Sequence, residues 1–362
     1  MNNKLEKVLL IVTFCLIVFG IVMIYSSSSI WSDYKFNDKF HYVKLQSLFA
    51  IAGVVLMFIV SKINYKFYYK KANLIIMICL GLLILVLIPG LGSIRNGSRS
   101  WFGIGPLGVQ PSEAAKLGLI IFSSRYLSKS RNFVKSYKKG VFPILFITLF
   151  FFGLIMLQPD LGTGLILTLS IVSLLFVAGV KMKFFFITGL LGIVGIVVLI
   201  IIAPYRMARI TSFVNPWDDP LGTGFQIIQS LYAIGPGGLF GRGFGSSIQK
   251  HFYLPEPQTD FIFSIITEEF GIVGALIIIT CFILILYRGI KIALNSKDLF
   301  SKYLAFGMTF QIIFQAMLNL MVVSGMIPVT GVTLPFLSYG GSSLLISMVS
   351  IGILLNISKN NY

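Results

Sequence analysis

Val8-Leu9-Leu10-Ile11-Val12-Thr13-Phe14-Cys15-Leu16-Ile17-Val18-Phe19-Gly20-Ile21-Val22-Met23-Ile24-Tyr25 carries no charged side chain. Roughly 17 to 25 such residues cross the hydrocarbon core of a bilayer as a helix. Lys4 and Lys7 before the run and Ser26 to Ser29 after it give it the outline of a signal peptide. No Ala-x-Ala step follows, however, and similar runs recur along the chain, so it reads as a retained first span. The predicted spans are 8–25, 45–61, 73–90, 112–128, 142–157, 161–180, 184–204, 261–287, 303–326 and 336–357. The expected fold is an all-α polytopic membrane protein: a single domain, 1–362, of ten transmembrane helices. A large extracytoplasmic loop, 205–260, separates helices seven and eight.

Composition agrees. Of 362 residues, 56% are apolar and only 11% charged, against about 25% charged in soluble domains. Too little polar surface exists to coat a globule in water, which excludes soluble enzymes, disordered chains and disulfide scaffolds. Cys15, Cys79 and Cys281 each sit inside an apolar run and read as packing residues.

The formal charge of +17 could suggest nucleic acid, but its distribution does not. With the N-terminus inside, the inner segments collect 19 basic residues against Glu6 and Asp298, and the outer half balances ten bases with ten acids. Every inner loop obeys the positive-inside rule, so both termini are expected in the cytoplasm. The inner lysines and arginines read as topology determinants that also touch anionic lipid. The long loops lie outside, and function is sought there.

Ionisable groups at span ends are costly and tend to face an interior cavity. Gln110-Pro111-Ser112-Glu113 reads as a helix start, with Lys116 one turn on. Glu113 and Lys116 form either an internal ion pair or a cavity lining in which Lys116 meets an anion or Asp160. Asp160, in Gln158-Pro159-Asp160-Leu161-Gly162-Thr163-Gly164, is either a helix cap or a site residue. The large loop holds Arg206, Arg209 and Trp217, then an amphipathic helix predicted from Phe225 to Ile234. Six glycines follow between Gly235 and Gly245; such backbone can present N–H groups to phosphate or simply turn. Tyr253-Leu254-Pro255-Glu256-Pro257-Gln258-Thr259-Asp260 then delivers Asp260 to the mouth of the eighth span, with Ser264, Thr267 and Glu268 on or near its face. A carboxylate so placed can take up a proton or cap the helix. His41 and His251 lie among aromatics and read as interfacial rather than metal-binding.

Seven stretches in register resemble the SEDS family (shape, elongation, division and sporulation proteins). They are RNGSRSW from Arg95, QPSE from Gln110, QPDLGTG from Gln158, NPW from Asn215 and GFQIIQSLYAIGPGGLFGRGFG from Gly224. YLPEPQTDFIFSIITEEFG from Tyr253 and the run from Asn319 through IPVTG to LPFLSYGGSS complete the set. The wording is most similar to the FtsW and stage V sporulation protein E branch.

The resemblance implies a ten-helix peptidoglycan glycosyltransferase in the bacterial cytoplasmic membrane. Such an enzyme polymerises lipid II (undecaprenyl-pyrophosphoryl-disaccharide-pentapeptide) on the outer face. Its implied partners are a class B penicillin-binding protein and other division or elongation membrane proteins, with no nucleic acid. It casts Asp260 as the catalytic carboxylate, Trp101 and the Arg95–Arg99 loop as functionally sensitive, and Glu113, Lys116 and Asp160 as cavity residues. A base that removes the acceptor hydroxyl proton is sufficient for an inverting transfer. The pyrophosphate leaving group needs cations, for which Lys116, Arg95, Arg99, Arg206, Arg209 and Arg242 are candidates. A divalent cation, Mg or Mn, near Asp260 is the alternative, although no dedicated cage is present. Glu256 is the other loop carboxylate close in sequence, and Ser338 is read as helix packing before substrate contact. Phe252 stands where some relatives carry an acid, and Lys44 precedes Gln46 where Arg-Gln is more usual. Two rival classes compete: a lipid II flippase, and a non-catalytic scaffold for the transpeptidase.

Overall fold

The computed structural model describes residues 3–95, 97–104, 107–129, 137–202, 207 and 211–360. Each of the ten apolar runs is a helix. They are α1 (Asn3–Phe36), α2 (His41–Lys62), α3 (Lys66–Leu87), α4 (Pro111–Ser128), α5 (Phe142–Met156), α6 (Leu161–Val177) and α7 (Met182–Ile202), then α9 (Ile262–Leu294), α10 (Leu299–Val323) and α11 (Gly341–Asn360). Between α7 and α9 lies α8 (Phe225–Ile234), with the bounds its amphipathic pattern predicts. Among the described residues, seven helices are long and apolar enough to cross a membrane: α1, α2, α3, α5 with the π-helical turn before it, α9, α10 and α11. α6 and part of α7 are shorter apolar helices, and α4 carries Glu113 and Lys116 through its first turns.

One expectation needs correction. The connection 91–111, read as a loop in an all-α protein, holds a three-stranded antiparallel sheet in the order β1 (Ser93–Arg95), β2 (Ser98–Ile104), β3 (Leu107–Val109). A chain leaving the apolar layer must satisfy its backbone N–H and C=O groups, and a meander does so within itself.

α10 is the central post, packing on α4, α6, α8, α9 and α11. α2 and α11 lie against each other along their length, and small residues permit the close approach. A Cβ at Gly352 would stand 2.6 Å from the Met57 carbonyl oxygen, and one at Gly53 would stand 2.2 Å from the Met348 sulfur. α7 is the opposite case, with Phe186, Leu190, Leu191, Val194, Val198 and Ile201 all exposed.

The two ends of the bundle differ. At the basic end the Tyr65 hydroxyl donates to Asp298 at 2.6 Å, and the Asn356 side chain takes the Tyr65 N–H at 2.9 Å. The other end gathers the connections 91–110, 235–261 and 324–340.

α9 is not continuous. Gly271 has φ +64° and ψ −160°, and the break is closed by the glycine-rich turn. Arg242 and Gly243 N–H donate to the carbonyls of Glu268 and Glu269 (2.9 and 3.0 Å), while Ile272 and Val273 N–H donate to Gly238 and Leu239 (2.9 and 3.1 Å). A Cβ at Gly241 would lie 2.2 Å from the Glu269 oxygen, and one at Gly271 2.5 Å from the Gly241 nitrogen. Gly237, whose Cβ would lie 2.3 Å from the Thr267 carbonyl oxygen, and Gly241 therefore serve contact between two backbones.

Candidate active site at the loop end

Pro255 and Pro257 stiffen the approach to α9, and Thr259 N–H closes a turn on the Glu256 carbonyl at 3.0 Å. The Thr259 hydroxyl lies 2.9 Å from the Asp260 carboxylate. α9 takes its N-cap at Phe261, with no side-chain cap. Asp260, one residue earlier and half-buried, is held through its main chain: its carbonyl accepts from the Asn319 amide at 2.6 Å. The second hydrogen of that amide goes to the Val332 carbonyl at 2.7 Å. Nearby, Tyr339 N–H donates to the Gln258 carbonyl at 2.8 Å.

One turn from Asn319 on α10, Gln315 receives Lys116 Nζ at 2.9 Å and donates to Ser343 at 2.7 Å and the Thr333 carbonyl at 3.1 Å. Lys116 is 1% exposed and pairs with Glu113 at 2.9 Å. A buried ammonium persists only when paired and hydrogen-bonded. The internal ion pair is thus the geometry found, with Gln315 rather than Asp160 as its further partner. Asp160 caps α6 by accepting Thr163 N–H at 3.0 Å, and its other oxygen takes the Gln110 amide at 2.9 Å. Gln110 N–H donates to Ser342 at 3.0 Å, whose hydroxyl returns to Gly108 at 3.2 Å. The Ser98 hydroxyl donates to the Gln158 carbonyl. The sheet is stitched onto α6 and α11 in this way. Arg99 and Trp101, both half-buried, lie on β2 on either side of an irregularity in its pairing, opposite Ile94 and Ser93 of β1.

Several buried polar atoms here have no partner among the described residues: both amide atoms of Gln158, Gln258 Oε1, Asn319 Oδ1 and the Ser112 hydroxyl. Native proteins leave few such atoms unsatisfied. A cluster of them beside Asp260 and Asp160 suits a site that receives water or a polar ligand.

The matches with known proteins run the length of the chain. The cell cycle protein family of FtsW, RodA and SpoVE matches residues 6–362. The chain belongs to this family. It is 51% identical over 354 residues to stage V sporulation protein E of Bacillus subtilis (strain 168), covering 98% of this chain and 97% of that one. It is 40% identical to the probable peptidoglycan glycosyltransferase FtsW of Geobacter sp. (strain M18), covering 98% and 96%. Among solved structures, a chain of a peptidoglycan synthase complex that coordinates polymerization and crosslinking superposes with a TM-score of 0.79 at 30% identity, covering 98% and 97%. The rod shape determining protein RodA of Thermus thermophilus gives 0.72 at 29%, covering 98% and 96%. The apolar helices and FtsW/RodA/SpoVE membership together make this a multi-pass membrane protein.

Within that family fold the expected site residues separate. Glu113, Lys116, Asp160 and the backbone of Asp260 are joined through α10 and the sheet. Ser264 instead bonds Ser230 on α8 at 2.8 Å. The Ser338 hydroxyl accepts Leu334 N–H at 2.8 Å while its carbonyl takes the Gln46 amide at 3.1 Å, a packing role. Glu268 accepts from Ser247 Oγ at 2.5 Å and Ile248 N–H at 2.8 Å, with Arg242 4.0 Å away. Glu256 is exposed. The Arg95 side chain, Arg206 and Arg209 lie outside the described residues. Residues missed by sequence reasoning include Gln315, Glu269, Lys250 and Ser26. Glu269 pairs with Lys250 at 3.1 Å and accepts the Ser26 hydroxyl at 2.6 Å, tying α1 to α9. Of these, Glu269 and Gln315 fall inside predicted spans, whereas Ser26 follows the first run and Lys250 lies in the large loop.

Proposed function

We propose that this chain is a peptidoglycan glycosyltransferase that polymerises lipid II by an inverting transfer, with Asp260 as general base. The carrying observation is the full-length match to relatives that include a probable peptidoglycan glycosyltransferase FtsW. The placement of Asp260 at the polar loop end supports the assignment. The acceptor hydroxyl attacks the anomeric carbon of the donor, its proton passes to the Asp260 carboxylate, and undecaprenyl pyrophosphate departs. One base is enough because a single displacement inverts the centre.

Lys116 is neutralised by Glu113, so the leaving group draws its first cationic stabilisation from the loop end, where Arg99 lies half-buried on β2. Gln158 and Gln258 are the added candidates for hydrogen bonds to sugar or pyrophosphate. Among the described residues no three His, Cys, Asp or Glu side chains come together as a metal site. A divalent ion at Asp260 would therefore take most of its ligands from pyrophosphate oxygens and water. In this reading the ten helices all span the cytoplasmic membrane, both termini are inside, and the active site faces out. A class B penicillin-binding protein crosslinks the product.

The test is polymerisation of purified lipid II by the full chain, alone and with a class B partner, comparing wild type with Asp260→Asn. Glycan from wild type and none from the variant is expected. Equal product from both would remove Asp260 from the mechanism.

A further inference from the structure

α1 has 34 residues, so at 1.5 Å per residue it runs about 50 Å, well beyond the roughly 30 Å of a hydrocarbon core. Its last turns stand clear at the loop end and form one wall of a cavity of about 520 Å³. Tyr25, Ser29, Asp33, Tyr34, Asn37 and Phe252 line it. The size falls within the range of small-ligand pockets, and the lining has their character of aromatic walls with a few placed polar groups. Tyr25 is backed by Phe40, stacked at 5.0 Å. On the other side the Phe252 ring sits edge-on to Trp31 at 5.6 Å and to Tyr34 at 5.5 Å. Asp33 and Lys39 face each other at 3.8 Å on the rim.

Two lining residues are held in the left-handed region, Asn37 at φ +52° and Phe252 at φ +66°. For an aromatic residue that conformation is unfavourable, and such strain collects at ligand sites. The strain turns the Phe252 ring onto the tip of α1, at the start of the segment that ends in Asp260. Outside the cavity lining, Tyr42 on α2 meets the Tyr339 ring at 5.0 Å, and Tyr339 N–H donates to the Gln258 carbonyl, two residues before Asp260.

We propose that this cavity is a saccharide subsite, which holds an N-acetylhexosamine unit of the glycan away from the bond being formed. The inference rests on the glycosyltransferase reading for its occupant. Aromatic faces cover the apolar C–H faces of a hexose, while Asp33, Asn37 and Ser29 supply acceptors and donors for hydroxyl and acetamido groups. Aromatic residues that anchor helices at the membrane surface form belts at the headgroup level. Here the rings line a concavity together with a carboxylate and an amide.

The test uses the full chain in nanodiscs. Saturation-transfer NMR with a β-1,4-linked N-acetylglucosamine tetramer reads binding, and gel analysis of strands made from fluorescent lipid II reads product length. Phe252→Gly removes the ring and suits the positive φ, while Asp33→Asn is a near-isosteric change at an exposed position. The expected result is tetramer binding to wild type and about tenfold weaker binding to Phe252→Gly. In both variants strand length should fall by a larger factor than release of undecaprenyl pyrophosphate. Absence of tetramer binding to wild type, or binding and strand lengths equal across all three proteins, would overturn the proposal. If wild type makes no glycan at all, the glycosyltransferase reading fails, and the tetramer titration still decides the cavity by itself.

Discussion

Asn319 holds the main chain of Asp260 to that of Val332, donating to the two carbonyls at 2.6 and 2.7 Å from one amide group. The base loop and the loop before α11 thus share a polar tether on the central helix. Asn319→Asp keeps the shape and removes both donors. Since each buried carbonyl left unmatched costs about 1–3 kcal/mol, the unfolding midpoint should drop. Lipid II polymerisation should fall about tenfold or more, measured under conditions where the variant remains folded.

The Lys116–Glu113 pair invites a double-mutant cycle. Lys116→Met leaves a buried carboxylate without its cation, a class of change that costs about 3–5 kcal/mol. Adding Glu113→Gln removes that charge and should recover most of the loss in thermal stability. If the double variant is as stable as wild type yet inactive, Lys116 or Glu113 also contacts substrate.

Gly271→Ala places a Cβ 2.5 Å from the backbone of Leu239 and Gly241. It also demands φ +64° of an alanine. Strain of about 1–3 kcal/mol with overpacking of similar size should lower the unfolding midpoint and open 242–250 to protease. Gly81→Ala, whose Cβ would meet nothing within 4 Å, serves as the control and should leave the midpoint unchanged or raise it.

At the basic end, burial and the hydrogen bond to Asp298 push the Tyr65 phenol up to about 12. Its ionisation in the folded state therefore lies above the unfolded value near 10. The contribution of Tyr65 to stability should be complete below pH 10 and vanish as the pH rises toward 12. Tyr65→Phe checks this twice. The stability gap between the two proteins should close over that window, and the difference absorbance of tyrosinate should place the missing group near the upper limit.

Much of the architecture is legible in the amino-acid order because a membrane span is written as an uninterrupted apolar run. The bounds of α8 are legible too, since an amphipathic period has edges. The strands of 93–109 are not, because they are short, rich in serine and glycine, and satisfy backbone groups locally. The break at Gly271 is hidden for a different reason: apolar residues continue on both sides, and the partner that permits it is about thirty residues away. Within the site, Asp260, Glu113, Lys116 and Asp160 stand out as charges near apolar runs. Gln315, Asn319 and Gln158 do not, since a neutral amide declares its use only when the facing helix is known. Helical phase puts Glu268 on or near the face of Asp260, yet it does not reveal that the loop 247–249 folds back to occupy that carboxylate.

The seam between the glycine-rich turn and the interrupted α9 bears on how this chain can change over generations. Four backbone hydrogen bonds register residues 238–243 against 268–273, so one inserted or deleted residue in that turn shifts every pairing by a step. Side-chain drift is tolerable there at non-glycine positions; drift in length is not. The stretch 218–223, whose residues are mostly exposed and bond mainly among themselves, has no such constraint. Homologous chains should therefore vary in length before Gly224 and keep a constant count from Gly235 to Gly271.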